Sequence, residues 1–187
     1  MDYIFCARNT SGGAFGTNPG PTKFLEIPAI ASSHKPDMAI ARGDWFRKVI
    51  DIARTGTDPL GRPTGEVLIY IHGFNTDLPL ILKRHRLIRK GLDSLGYAGA
   101  VVSFDWPCAD TALNYLEDRT DAKLTALRLV TDAVVPFARI QAPDCAIRTH
   151  VLAHSMGAFV LREAFDDADD RPALVQHGWS LGQVMLL

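Results

Sequence analysis

The 187-residue chain carries 20 Lys+Arg against 21 Asp+Glu, a formal charge of −1. Hydrophobic residues make up 47% and charged residues 22%, a balance that excludes a disordered or fibrous chain and fits a single domain, residues 1–187. Near-neutral charge offers no electrostatic ground for nucleic acid or an anionic membrane as partner, and no apolar run approaches the roughly 20 residues that span a bilayer.

The N-terminus, MDYIFCARNTSGG, has no basic leader followed by a long apolar stretch, so no secretory signal is expected. Cys6, Cys108 and Cys145 are odd in number and widely spaced. They read as buried thiols of a cytoplasmic protein, not as a disulfide frame or zinc site.

Tyr3–Ala7 and Lys23–Ile27 read as short strands. Between them Asn9–Pro21 (NTSGGAFGTNPGP) reads as a Gly/Pro-rich connector, and Arg54–Gly65 (RTGTDPLGRPTG) as another. The first lacks the Gly-Lys-Ser/Thr ending of a phosphate loop. Asp44–Arg54 sets Trp45, Val49 and Ile52 at helical spacing. Val67–Ile71 (VLIYI) is a β-branched and aromatic run, the pattern of a strand covered on both faces. It ends in His72-Gly73-Phe74-Asn75.

Asp77 is a suitable N-cap and Pro79 sits in the first turn of the next helix. Its apolar stripe is Leu78, Ile81, Leu82, His85, Ile88, Leu92 and Leu95, and Gly96 closes it. Lys83, Arg84, Arg86, Arg89 and Lys90 form a solvated opposite face. Ala100–Phe104 is a second buried strand, ending in Asp105-Trp106-Pro107. A helical stretch over Thr111–Gln141 carries Leu124, Leu127, Val130, Val134 and Phe137, with a kink or stop expected at Pro136. Its early part, with Tyr115, Asp118 and Arg119, suits either a lid or plain scaffold. Arg148–Ala153 is a third strand that passes into His154-Ser155-Met156-Gly157 and a helix to about Asp167, with an exposed acidic turn over Asp166–Asp170. Gln183–Leu187 starts a fourth strand.

Alternating strands and helices predict an α/β fold, a mostly parallel sheet with helices on both faces. Right-handed crossovers then set the strand-to-helix turns along one sheet edge. At Ala153-His154-Ser155-Met156-Gly157 a serine stands where a strand becomes a helix. Such a turn displays the hydroxyl, aims the next N–H into the same space, and needs small residues two before and two after. A serine that merely caps the helix is the plain alternative. Acyl transfer creates a negative oxygen that needs two fixed N–H donors. Met156 supplies one, and Phe74 or Asn75 the other, with Gly73 letting the backbone bend inward.

Asp105 ends a strand two sheet positions from Ser155, roughly 9–10 Å away, which is far for a triad acid. It is expected to cap a turn, and Trp106 to line the pocket or the core. His154 is expected to pack against the elbow, because neighbouring side chains diverge at a strand end. His150 lies within a strand, and His34, His85 and His177 have no motif around them. No His-x-x-x-His pair or Cys/His cluster is present in the sequence, so neither metal nor cofactor is expected.

YIHGFNT (Tyr70–Thr76), SFDWP (Ser103–Pro107) and LAHSMG (Leu152–Gly157), in that order, resemble the alpha/beta-hydrolase superfamily. More narrowly they resemble bacterial predicted serine hydrolases with HGFN, F-x-W-P and HSMG motifs. The resemblance covers about Glu66–Leu187. It implies Ser155 as nucleophile, the Phe74 and Met156 N–H groups as oxyanion hole, and Asn75 and Trp106 beside a small-molecule acyl substrate. In that family the acid and the histidine follow the nucleophile, so they are expected beyond residue 187 and the chain reads as an N-terminal portion. A naturally shortened homologue serving as a non-catalytic binding or assembly module is the competing expectation.

Overall fold

A computed structural model describes residues 1–108, 115–140, 146–175 and 179–187, with the backbone alone for 115–120, 140 and 175. Its centre is the run of β-branched residues that the sequence marks. Strand β5 (Pro63–Ile71) pairs in parallel with β6 (Ala100–Asp105) on one side and β7 (Ala146–Ala153) on the other. Ile71 is level with Phe104 and with Ala153. The turns that follow these strands therefore emerge at one edge of the sheet.

The remaining strands extend this core. On the β6 side lie β1 (Asp2–Ser11), β2 (Ala14–Ile27) and the short β3 (Ala39–Ile40), and beyond β7 lies β8 (Val184–Leu186). β1 runs parallel to β6, and β8 parallel to β7. β1–β2 and β2–β3 are antiparallel, as is β4 (Arg54–Thr57) against β5. The result is the mostly parallel sheet that the element order predicts.

Two segments read as connectors are sheet instead. Asn9–Pro21 is the body of the β1–β2 hairpin, turned at Gly12 and Gly13, both at positive φ. β3 pairs with β2 at Phe24 and Leu25, beyond Pro19 and Pro21, so these prolines disrupt no ladder on that side. Arg54–Gly65 is the β4–β5 hairpin. Its turn is fastened by Asp58, whose Oδ1 accepts from the Leu60 and Arg62 N–H groups at 2.9 Å.

Period-2 alternation sorts the strand side chains. Tyr3, Phe5, Val67, Ile69, Ile71, Val102, Phe104, Val151 and Ala153 face the larger core. α1 (Arg42–Ala53) covers it with Trp45, Phe46, Val49, Ile50 and Ala53, while Ile52, expected in the stripe, is exposed. α5 (Met156–Asp169) adds Val160, Leu161, Ala164 and Ala168. Burying such side chains contributes roughly 1.5–3 kcal/mol each for the larger ones.

The opposite face holds Ile4, Cys6, Leu25 and Ile27 under α2 (Leu78–Ser94), so helices cover both sides. Asp77 caps α2 as expected, its Oδ1 accepting from Leu80 N at 2.8 Å. Only Ile81, Leu82 and His85 of its stripe are buried, and Leu95 is exposed. Part of its basic face is engaged: Arg86 Nε lies 2.8 Å from Asp2 Oδ2 and Arg89 Nη1 3.7 Å from Asp2 Oδ1.

α3 (Tyr115–Leu129) passes through a π turn (Val130–Val134) into α4 (Val135–Ile140). Val130, Val134 and Phe137 are buried as expected, but the N-terminal half of the stripe differs. Ala122, Ala126, Leu129, Val130, Ala133 and Val134 face the core, while Leu124 is exposed. Small residues on this face let α3 lie against α5. Pro136, which cannot donate a helical hydrogen bond, follows the widened turn directly, where Val135 N bonds to Val130 O. Residues 111–114 and 141 of the expected helix, together with Cys145 and His177, lie outside the described residues, as do the side chains of Tyr115, Asp118 and Arg119. Among the described residues, no helix is long and apolar enough to cross a membrane.

Candidate active site

β7 hands over to α5 at Ser155. The serine is exposed and holds φ 53° and ψ −121°, a conformation that costs a non-glycine residue about 1–3 kcal/mol. Its surroundings enforce that bend. His154 N bonds to Ile71 O at 3.0 Å, Ser155 N to Leu187 O at 2.7 Å, and Gly157 N to His154 O at 2.9 Å. The helix packs against the end of β5 so closely that a Cβ on Gly157 would sit 2.6 Å from Ile71 O and 2.8 Å from His72 O. The Ser155 side chain makes no capping bond to α5. Among the described residues no histidine or carboxylate hydrogen-bonds its hydroxyl.

The His72–Asn75 turn lies directly against this elbow. A Cβ on Gly73 would stand 2.7 Å from His154 Nδ1 and 3.0 Å from Ser155 Cβ, so only glycine fits. Gly73 O is drawn inward by His72 Nδ1 at 2.8 Å and by Thr76 Oγ1 at 2.9 Å. No peptide bond here is cis. In a trans peptide the N–H points opposite to the carbonyl, so the Phe74 N–H faces away from the buried side. Phe74 is half-buried against the larger core. Asn75 is exposed at φ 51°, which asparagine tolerates. Met156 is the first residue of α5, so its N–H has no intrahelical acceptor. Ser155, Met156 and the Gly73–Asn75 turn thus come together at one edge of the sheet.

Trp106 lies under that edge and not on its surface. It is completely enclosed, its ring stacked on His72 at 5.3 Å between centroids, and its Nε1 donates to His72 O at 2.9 Å. Of the two expectations for Trp106, pocket or core, the core is where its side chain lies, beneath the turn. Asp105 is no turn cap either. It is fully buried at the end of β6 and binds groups from three other segments. Oδ1 accepts from Arg8 Nε at 2.7 Å and His72 Nε2 at 3.3 Å, and Oδ2 from His34 Nε2 at 2.8 Å and Cys6 Sγ at 3.1 Å.

This cluster shifts its members strongly. Burial alone raises a carboxyl, yet Arg8 and the two imidazoles hold Asp105 well below the usual carboxylate range. Burial lowers an imidazole, but the bonds to Asp105 and Cys108 outweigh it and raise His72 to about 9. Burial raises a thiol, yet His72 brings Cys108 below its ordinary value. For Cys6 burial, followed by the Asp105 charge, outweighs the lowering influence of Arg8 and pushes it well up. Cys6 and Cys108 are both buried free thiols.

Arg8 and His34 are members that the linear pattern did not single out. Alternation along Tyr3–Arg8 places Arg8 on the face of Ile4 and Cys6, an interior position that demands a counter-charge. The fold also brings Cys6, His34 and Asp105 within 4.8 Å of one another, a Cys/His grouping invisible as a motif. Its chemistry does not suit a metal. A dication there would stand beside the Arg8 guanidinium, and both carboxylate oxygens already accept from protein donors.

The other histidines are distributed through the frame. His85 Nδ1 lies 2.8 Å from Ser103 Oγ, and burial lowers its pKa to about 4. His150 is buried in β7 with neither ring nitrogen bonded. His154 packs against Gly73 with Nδ1 unbonded.

Residues 56–186, well over half the chain, match the model of a family described as "Alpha/beta hydrolase of unknown function (DUF900)". No curated protein and no solved structure matches the chain.

Proposed function

The chain belongs to the DUF900 family of alpha/beta hydrolases, and from that premise we propose that it is a serine hydrolase cleaving an ester, thioester or amide of a small acyl substrate. The observation that carries this reading is the exposed Ser155 at φ 53° with the Gly73 turn pressed against it. Strain of this kind persists where the surrounding structure over-determines it, and it clusters at reactive centres.

Ser155 Oγ attacks the acyl carbon. The Met156 and Phe74 N–H groups receive the oxyanion, each such donor being worth about 10²–10³ in rate. The leaving group departs to give an acyl-enzyme on Ser155, and water releases the acid. A serine hydroxyl is a weak nucleophile without a base. A base takes the Ser155 proton and returns it to the leaving group; in this order of elements the acid and the histidine follow the nucleophile in sequence.

The test is labelling with a fluorophosphonate probe, with the modified residue located by mass spectrometry and Ser155→Ala as the blank. Labelling at Ser155 supports the reading. Labelling no greater than the blank removes it and leaves the non-catalytic binding module in its place.

A further inference from the structure

We propose that Asp105 is a positioning residue for this site: clamped by Arg8 and His34, it holds the His72 ring so that Nδ1 anchors Gly73 O and the Gly73–Phe74 peptide presents its N–H to the oxyanion. The inference rests on the serine-hydrolase reading above.

Gly73 O and the Asp105 carboxylate are acceptors only, and His72 spans them, with Nδ1 2.8 Å from the first and Nε2 3.3 Å from the second. Both ring nitrogens therefore carry hydrogen, and the ring is an imidazolium. A buried cation persists there because a carboxylate faces it. Burial is complete for His72, Asp105 and Trp106, and nearly so for His34 and Arg8.

Each degree of freedom of the ring is removed. Its plane is set by the parallel Trp106 indole, at 9°. Its far nitrogen is set by Asp105. Asp105 is itself fixed by Arg8 Nε on one oxygen and His34 Nε2 on the other, while Arg8 Nη2 reaches Trp106 O at 3.2 Å. The near nitrogen then has one direction left, towards Gly73 O. Thr76 Oγ1 reinforces this by donating to the same carbonyl, and Arg84 Nη1 in turn donates to Thr76 Oγ1 at 3.2 Å. A trans peptide so pinned by its carbonyl has its N–H aimed without further reorganisation, which is what electrostatic preorganisation requires.

The cluster joins β1, β6, the loop after β2 and the turn after β5, with Arg8 and Asp105 alone 97 residues apart. It is a frame built around one peptide, and Ser155 is not part of it. A structural role alone predicts lower stability. The positioning role predicts a slower reaction at Ser155 and a moved Phe74 amide in protein that remains folded.

The experiment uses the protein with Asp105→Asn, His34→Ala and His34→Gln. Folding is followed by near-UV circular dichroism, fluorophosphonate labelling gives the rate at Ser155, and ¹⁵N NMR reports the Phe74 amide and the His72 ring nitrogens. In Asp105→Asn, labelling slows roughly tenfold to a hundredfold, less than outright deletion of a donor, and the Phe74 amide resonance shifts. His34→Ala slows labelling in the same direction. His34→Gln keeps an N–H towards Oδ2 and restores most of the rate, a rescue that mere packing loss does not produce. If Asp105→Asn fails to fold, the His34 pair decides. Labelling within about twofold of wild type in folded variants, or an unmoved Phe74 amide, overturns the inference. If wild type itself is not labelled, the serine-hydrolase reading fails, and the NMR arm still decides whether Asp105 sets this peptide.

Discussion

Gly157→Ala tests whether the elbow is held by close backbone approach. The added methyl would meet Ile71 O at 2.6 Å and His72 O at 2.8 Å, well inside ordinary van der Waals contact. Neither carbonyl can swing aside. Ile71 O accepts from His154 N at 3.0 Å, and His72 O from Trp106 Nε1 at 2.9 Å. The helix α5 must therefore lift from β5 by several tenths of an ångström. Overpacking of this kind costs about 1–3 kcal/mol, and for a chain of this size each kcal/mol lowers Tm by roughly 2–4 °C. Lifting α5 also carries the Met156 N–H away from Ser155, and a misplacement approaching 1 Å costs up to ~10²-fold in rate. Thermal unfolding by circular dichroism and fluorophosphonate labelling measure the two effects. Gly91→Ala is the control. Gly91 lies in α2 with open space around it, and the same substitution there stabilises by about 0.5–1 kcal/mol. A Gly157→Ala protein with wild-type Tm and wild-type labelling would refute the reasoning.

Two further outcomes follow from the site. His72 is raised to about 9 in the folded protein, above its ordinary 6.5. Its stabilisation is therefore full below pH 6.5 and is lost as pH rises through about 9. Tm measured from pH 6 to 10 should fall more steeply for wild type than for His72→Gln, and parallel curves would count against a buried imidazolium. Ser155→Gly relieves a φ of 53°, at some cost in unfolded-chain entropy. It should raise Tm by about 2–4 °C, the equivalent of roughly 1 kcal/mol, while labelling disappears. Ser155→Ala keeps a Cβ and should gain nothing, so equal Tm values for the two variants would argue against stored strain.

What could be read from the linear chain was local. The runs VLIYI, AVVSF and THVLA are strands because β-branched residues buried on both faces leave few other conformations. The turns after two of them carry Gly73 and Gly157, whose small size the packing demands. Asn9–Pro21 misled because glycine and proline are ambiguous. They break a central strand, yet are tolerated in a hairpin whose outer edge is largely unpaired. Leu124 misled because α3 presents alanines to α5, a choice made by the neighbouring helix and not by its own hydrophobicity. The Asp105 cluster was hidden for another reason. Arg8, His34, His72 and Asp105 share no spacing, and it takes the parallel pairing of β6 with β1 on one side and β5 on the other, with the loop after β2, to bring them together. The one available hint was a charged residue on the inward side of a strand otherwise filled by Ile4 and Cys6.

The placement of β5 between β6 and β7 has a consequence for how the molecule comes apart. Ser155 follows β7, whereas Trp45 and Trp106 belong to the layers built on β1, β5 and β6. A partly opened species that sheds β7 and β8 would retain much of the environment of those two indoles while losing the serine's tight bend. Loss of probe reactivity should then precede loss of their fluorescence along a denaturant titration, making the nucleophile an early reporter of unravelling at that flank.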